Sequence, residues 1–247
     1  MIEVSAISKT FETRKKRVEA LRSVSFSATP GQIYGLIGPN GAGKTTALRT
    51  IATLLKPDTG FVKVNGFDSQ QDARSVRDTI GFLTSDMKLS GNLSARELLR
   101  FFGRLNHLEE QMIEKRIEII SSYLEMKDFL DKSVVKLSTG MKQKAQIAVS
   151  IVHDPEVIIF DEPTAGLDIL ASKIVIDFLR DSRKNGKTVL LSTHMLNDAG
   201  RMCDSVGILV EGRLLVNGPL DDVLKQHNAD SLEDVFFSVH AQKEAIK

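Results

Sequence analysis

Residues 33–46 read Ile33-Tyr34-Gly35-Leu36-Ile37-Gly38-Pro39-Asn40-Gly41-Ala42-Gly43-Lys44-Thr45-Thr46: a short apolar run, a glycine-rich turn and the opening of a helical pattern. Residues 38–45 fit G-x-x-x-x-G-K-[ST] in full, and the strand-turn-helix context is the one in which that pattern carries meaning. The turn formed by Gly38, Pro39, Asn40, Gly41, Ala42 and Gly43 lets the backbone wrap closely, so successive N–H groups can point at phosphate oxygens. The helix start adds a dipole that favours anions. Lys44 supplies a point charge for β- and γ-phosphates, the Thr45 hydroxyl can ligate Mg²⁺, and Thr46 extends the nucleotide-binding set. A chance match in 247 residues is on the order of one in a hundred, which sets aside an ordinary strand-to-helix turn.

Outward from this turn, the chain alternates strands and helices. Residues 2–7 and 24–28 read as short strands, 61–65 and 80–84 as further strands, and 44–55 as the helix after the turn, with Pro57-Asp58 as its stop. Arg14-Lys15-Lys16-Arg17 reads as a solvated turn between the first two strands. From residue 94 to about 152 the pattern changes. Leu98, Leu99, Phe101, Phe102 and Leu105 give one helical apolar face, and Ile113, Ile117, Ile120 and Leu124 another. This is a helical lobe inserted into an α/β core. Residues 157–160 are an all-apolar strand, as in the middle of a parallel sheet, 174–183 are helical, and 188–192 are a second buried strand. Residues 206–210 and 213–216 flank Glu211-Gly212, a hairpin signal. The expected class is α/β, with a mostly parallel sheet around the inserted helical lobe.

Strand 157–160 ends in Asp161-Glu162. Sites in parallel sheets lie at the carboxyl ends of strands, so Asp161 is expected beside the phosphate turn as a Mg²⁺ holder. Glu162 is expected next to the attacking water, as base or polariser. Alone, such a pair is a weak signal; downstream of a full phosphate turn it gains a defined task.

Composition limits the partners. Lys and Arg total 33 against 32 Asp and Glu, for a net charge of +1, which gives no electrostatic case for nucleic acid. The single cysteine, Cys203, excludes an internal disulfide and reads as a buried filler. No stretch reaches the roughly 18 apolar residues of a spanning helix, and the opening residues carry no secretory pattern, so a cytoplasmic protein is expected. His107, His153, His227 and His240 have no companions at metal-ligand spacing.

Three further segments narrow the reading. Leu137-Ser138-Thr139-Gly140-Met141-Lys142-Gln143-Lys144 resembles the LSGGQ signature of the ABC ATPases, with Thr139 in place of the usual Gly and Met141 in place of the usual Gln. Asp161-Glu162-Pro163-Thr164-Ala165-Gly166-Leu167-Asp168 is similar to that family's Walker B run and D-loop, and Leu191-Ser192-Thr193-His194 to its switch-histidine segment. Order and spacing match over about residues 2–224, and the signature variant is similar to the sodium-export and drug-export ATPases.

The resemblance implies a P-loop NTPase (RecA-like) core with an antiparallel β subdomain beside the inserted helical lobe, ATP as substrate with Mg²⁺, and catalytic roles for Glu162, His194 and Lys44. It implies that Ser138, Thr139 and Gly140 contact the ATP held by a second copy, with Asp168 along that interface. Phe11 matches the aromatic residue that stacks on adenine. Ser85 falls where the family usually has a metal-approaching Gln, followed by Asp86. Gln143 and Lys144 read as surface or packing residues, and the surface around Ser85, with Phe82 and Met87, as a dock for a membrane subunit.

The expected layout is a cassette over residues 1–230 (core about 1–90 and 153–220, lobe about 91–152) and a tail over 231–247. Expected partners are a homodimer formed on ATP and membrane permease subunits at the inner face of the cell membrane, not nucleic acid. Two rival readings are a soluble ATPase acting on DNA or ribosomes, and a cassette that holds ATP without turnover.

Overall fold

The computed structural model describes residues 1–13, 16–89 and 91–245; Arg14 and Lys15 of the basic turn, and Ile246 and Lys247 of the tail, lie outside them. In chain order the described elements are β1 (Ile2–Thr13), β2 (Lys16–Ala28), β3 (Ile33–Ile37), α1 (Lys44–Ile51), β4 (Thr59–Val64), β5 (Phe67–Asp68), α2 (Ala73–Thr79) and β6 (Ile80–Leu83). The lobe follows as α3 (Ala95–Leu105), α4 (Glu110–Tyr123) and α5 (Thr139–Ile151). The chain returns through β7 (Val157–Asp161), α6 (Ile169–Lys184), β8 (Thr188–Thr193), α7 (Leu196–Met202), β9 (Ser205–Val210), β10 (Arg213–Pro219), α8 (Leu220–Gln226) and α9 (Leu232–Ala245).

The strands form two sheets, one in the order β2-β1-β4-β5 and antiparallel, the other in the order β10-β9-β3-β8-β7-β6. In the second, β9, β3, β8, β7 and β6 run parallel and only β10 is antiparallel. This is the α/β class that the strand–helix alternation predicts.

Alternation of side chains along β3, β7 and β8 sends successive residues to opposite faces. Ile33, Ile37, Ile158, Phe160, Val189 and Leu191 share one core with the lobe and α6, while Tyr34, Leu36, Ile159 and Leu190 share the other with α1 and the antiparallel sheet. Helix α1 is held to the second face by buried Ala47, Leu48 and Ile51, so Leu48→Ala is expected to cost roughly 2–5 kcal/mol. The lobe begins at a capping box: Ser94 Oγ accepts from the Glu97 N–H at 3.2 Å, and Glu97 Oε2 accepts from the Ser94 N–H at 2.7 Å. Its inner helix α5 lies so close to β6 that a Cβ on Gly81 would sit 2.6 Å from the Ser150 carbonyl oxygen.

Several boundaries differ from the sequence reading. The helix expected over 44–55 ends at Ile51, because the chain turns through Thr53 at φ 65°. The first two strands are much longer than 2–7 and 24–28. Register shifts after Val4, Ile7 and Lys9 break the alternation that would have revealed them. The hairpin at Glu211-Gly212 has φ of 47° and 77° at these two positions, the double positive of a type I′ turn. In α9, Leu232, Val235 and Val239 are buried in the same core as α7 and α8.

Candidate active site

The phosphate turn leaves β3 between two neighbouring strand ends, and the Gly38 N–H donates to the Thr193 carbonyl at 3.4 Å. Gly43 sits at φ 109°, and a Cβ there would lie 2.3 Å from the Ala20 carbonyl oxygen, so the turn is seated against β2. Only glycine meets both demands. Lys44 is buried; its Nζ donates to the carbonyls of Gly38 at 2.7 Å and Pro39 at 3.3 Å and lies 3.4 Å from Glu162 Oε1.

Asp161, at the carboxyl end of β7, is buried and stands in register beside Ser192 of β8. Its Oδ2 accepts from Thr45 Oγ1 at 2.8 Å and Ser85 Oγ at 3.0 Å, and its Oδ1 accepts from the Ser192 hydroxyl. Three hydroxyl donors thus offset the desolvation of one carboxylate. Glu162 then takes φ 53°, a left-handed conformation that costs a non-glycine residue about 1–3 kcal/mol. Its N–H donates to the Ser192 carbonyl at 3.2 Å and to Ser192 Oγ at 3.1 Å. The turn brings the carboxylate back toward the site: Oε2 is 2.8 Å from His194 Nδ1, while Oε1 faces Lys44.

Lys44, Thr45, Glu162 and His194 line a cleft of about 660 Å³ that also takes in Ser85 and, from β2, Arg17, Val18 and Arg22. Phe11 does not line it. It pairs with Val18 across the β1–β2 ladder, is 39% exposed, and has Lys9 Nζ 5.9 Å from its ring centre. Val18 is the largest apolar side chain among the residues that line the cleft. Sequence reasoning missed it because the bulged β1 gives no register to count from. Asp86 turns away from Asp161 to an ion pair with Arg49 of α1.

The signature segment lies elsewhere. Ser138 caps α5, its Oγ accepting from the Met141 N–H at 3.3 Å, and Asp168 caps α6, its Oδ1 accepting from the Ala171 N–H at 2.8 Å. Ser138 and Thr139 are exposed, and none of Ser138, Thr139, Gly140 or Asp168 lines the cleft around Lys44. Just past Asp168, Ile169 and Leu170 are 88% and 76% exposed. Gln143, read from sequence as a surface or packing residue, joins the two regions by donating from Nε2 to the Pro163 carbonyl at 3.1 Å. Phe82 and Met87 are both half-buried against the cores. Cys203 is buried, which pushes its thiol up to about 12. Among the described residues no group of three or more His, Cys, Asp or Glu stands at metal-binding spacing.

The family model of the ABC transporter matches residues 21–165. The chain is 38% identical over 239 residues to the ABC transporter ATP-binding protein NatA of Bacillus subtilis, covering 96% of this chain and 97% of that one. It is 35% identical over 224 residues to the daunorubicin resistance ATP-binding protein DrrA3 of Streptomyces coeruleorubidus, covering 91% and 71%. A solved ATP-binding subunit of an ABC transporter superposes with a TM-score of 0.89 at 30% identity, over 97% of this chain and 99% of that one. A dimeric ATP-binding cassette in a post-hydrolysis state, bound to ADP and Pi, superposes with a TM-score of 0.81 at 26% identity, over 89% and 99%.

Proposed function

The chain belongs to the ABC transporter ATP-binding family, and from that premise we propose how its residues bind and hydrolyse ATP and which partners put the hydrolysis to use. The observation that carries the proposal is the meeting of four separate segments. Lys44 and Thr45, Ser85, Asp161 with Glu162, and His194 come together through contacts of 2.8–3.4 Å.

The triphosphate lies along residues 38–46, its charge offset by backbone N–H groups and by Lys44, which exchanges its bonds to the Gly38 and Pro39 carbonyls for phosphate oxygens. Val18 packs beside the base, with Phe11 behind it in the same ladder. Glu162 holds the attacking water, and His194 fixes the Glu162 carboxylate while facing the γ-phosphate. One carboxylate and two hydroxyls gathered at Asp161, Thr45 and Ser85 are hard oxygen donors that suit Mg²⁺ completed by phosphate and water. These three residues would hold the ion, which would supply positive charge to offset the charge that builds on the phosphate during transfer.

The second half of the site comes from another copy. Ser138 holds open the first turn of α5, so the free N–H groups around Thr139 and Gly140 face outward toward an anion. Asp168 lies along the same face, and the exposed Ile169 and Leu170 supply apolar contact to the partner. ATP then favours a closed pair and hydrolysis releases it.

Among the described residues no helix is long and apolar enough to cross a membrane. Membership of the ABC transporter family supports the reading that the motion drives separate permease subunits at the inner face of the membrane, with the cassette on the cytoplasmic side. The daunorubicin resistance named for one relative supports efflux of a drug-like molecule, and the signature variant's resemblance to sodium-export ATPases makes sodium ions the other candidate cargo. The layout that goes with this reading is a cassette over residues 1–230, with its lobe at about 91–152, and a terminal helix in 231–247.

Glu162→Gln tests the chemistry. Hydrolysis is expected to fall at least about a hundredfold while ATP stays bound; turnover at the parental rate contradicts the assignment.

A further inference from the structure

We propose that Ser192 is a positioning residue for hydrolysis: one buried hydroxyl sets both the backbone turn of Glu162 and the orientation of Asp161. The proposal rests on the reading of Glu162 as the group that holds the attacking water.

A serine hydroxyl has one hydrogen to give and two lone pairs to accept with. Here the hydrogen goes to Asp161 Oδ1, and the Glu162 N–H donates to the oxygen at 3.1 Å. Ser192 is fully buried and stands in register with Asp161 on the neighbouring parallel strand. The cross-strand pair thus fixes the hydroxyl at the point where β7 gives way to the left-handed Glu162. The other two donors to Asp161, Thr45 and Ser85, both reach Oδ2. Ser192 is the hydroxyl on Oδ1, so it alone of the three opposes rotation of the carboxylate from that side.

The Glu162 N–H also reaches the Ser192 carbonyl at 3.2 Å, so without the hydroxyl the turn persists but is held by one acceptor instead of two. The Glu162 side chain is then less firmly aimed at His194 and at the water. A buried pair of this kind costs heavily when one member is removed, because the group left behind finds no water.

The test is a double-mutant cycle between Ser192→Ala and Glu162→Gln, with thermal midpoint and ATP affinity in metal-free buffer measured alongside. Ser192→Ala is expected to lower kcat about 10- to 100-fold, with KM and metal-free ATP affinity within about twofold of the parent. Placed on Glu162→Gln it is expected to slow turnover by clearly less than it slows the parent, because one of the two groups it aims is already gone and only its hold on Asp161 is left to lose. Ser192→Cys keeps the volume with a weak donor and is expected to lose kcat as well, so the test survives if the alanine variant does not fold. The proposal is overturned if either folded variant turns over at the parental rate, if the loss appears in KM or ATP affinity instead of kcat, or if the two substitutions multiply. Parental turnover by Glu162→Gln itself would instead sink the assignment of Glu162, which separates the two failures.

Discussion

The cleft around Lys44 and the helix starts at Ser138 and Asp168 are bonded in opposite ways. Around Lys44, polar side chains from α1, β7, β8 and the turn that follows β6 hold one another across long stretches of sequence, and Asp161 alone takes three hydroxyl donors. Around Ser138 and Asp168, the side-chain bonds go to the first turns of the helices those residues cap, and the next side chains, Ile169 and Leu170, face outward. The first region is a site assembled within one chain. The second, on the reading proposed above, is a surface prepared for another chain. Gln143, reaching from α5 to the Pro163 carbonyl, ties the prepared surface to the loop that follows Glu162.

The largest effect that bears on this contrast belongs to Gly140→Asp. A Cβ at Gly140 meets only Leu167 Cδ2, at 3.8 Å, and a carboxylate in the first turn of α5 suits the helix dipole, so the fold should tolerate it. A negative charge aimed at a partner's γ-phosphate should nevertheless lower ATPase activity about a hundredfold, with ATP binding to the single chain unchanged. An ATPase rate that also stays unchanged breaks the comparison.

A smaller effect is expected from Ile169→Ser with Leu170→Ser. Measured by sedimentation in the Glu162→Gln background, ATP-dependent dimerisation should weaken about tenfold, the scale set by losing two apolar contacts. The ATP affinity of the single chain should hold. Equal dimerisation would remove the apolar pair from the interface.

The smallest concerns the seam that joins the regions, where His153, just after α5, faces the Ile80 carbonyl at 3.0 Å from Nε2. Burial holds this imidazole below its ordinary value of 6.5. The unfolded chain therefore takes up a proton that the folded protein resists, and stability falls as pH drops below that value. His153→Gln should flatten the acid side of the stability profile by about 1 kcal/mol, read as thermal midpoint between pH 7.5 and 5.5. An unchanged profile would show that the seam does not feel this proton.

The same contrast explains what the sequence could disclose. The meeting of residues 38–45 with the Asp161-Glu162 pair was legible because the phosphate-turn pattern fixes residue types and spacing at the end of one parallel strand and the acidic pair closes another, and the apolar strands 157–160 and 188–192 were legible from burial on both faces. The lobe showed through the helical spacing of Leu98, Leu99 and Phe102 and of Ile113, Ile117 and Ile120. Ser192 was not legible as a positioning group: one serine closing an apolar strand has no pattern, and its task exists only because register sets it beside Asp161. The length of β1 and β2 was hidden by bulges, with Ala6 at φ 47° and Ser23 at φ 53°, and for the same reason Val18 could not be placed in the cleft. Helix α2 escaped because only Val76 in it is buried, too little to produce a periodic signal.

The structure of the Glu162→Gln protein loaded with ATP and Mg²⁺ tests the central claim most directly. The account predicts two copies head to tail, with each γ-phosphate between Lys44 of one and the Gly140 N–H of the other. A loaded chain whose α5 start faces only solvent, with no second copy within reach, would contradict it.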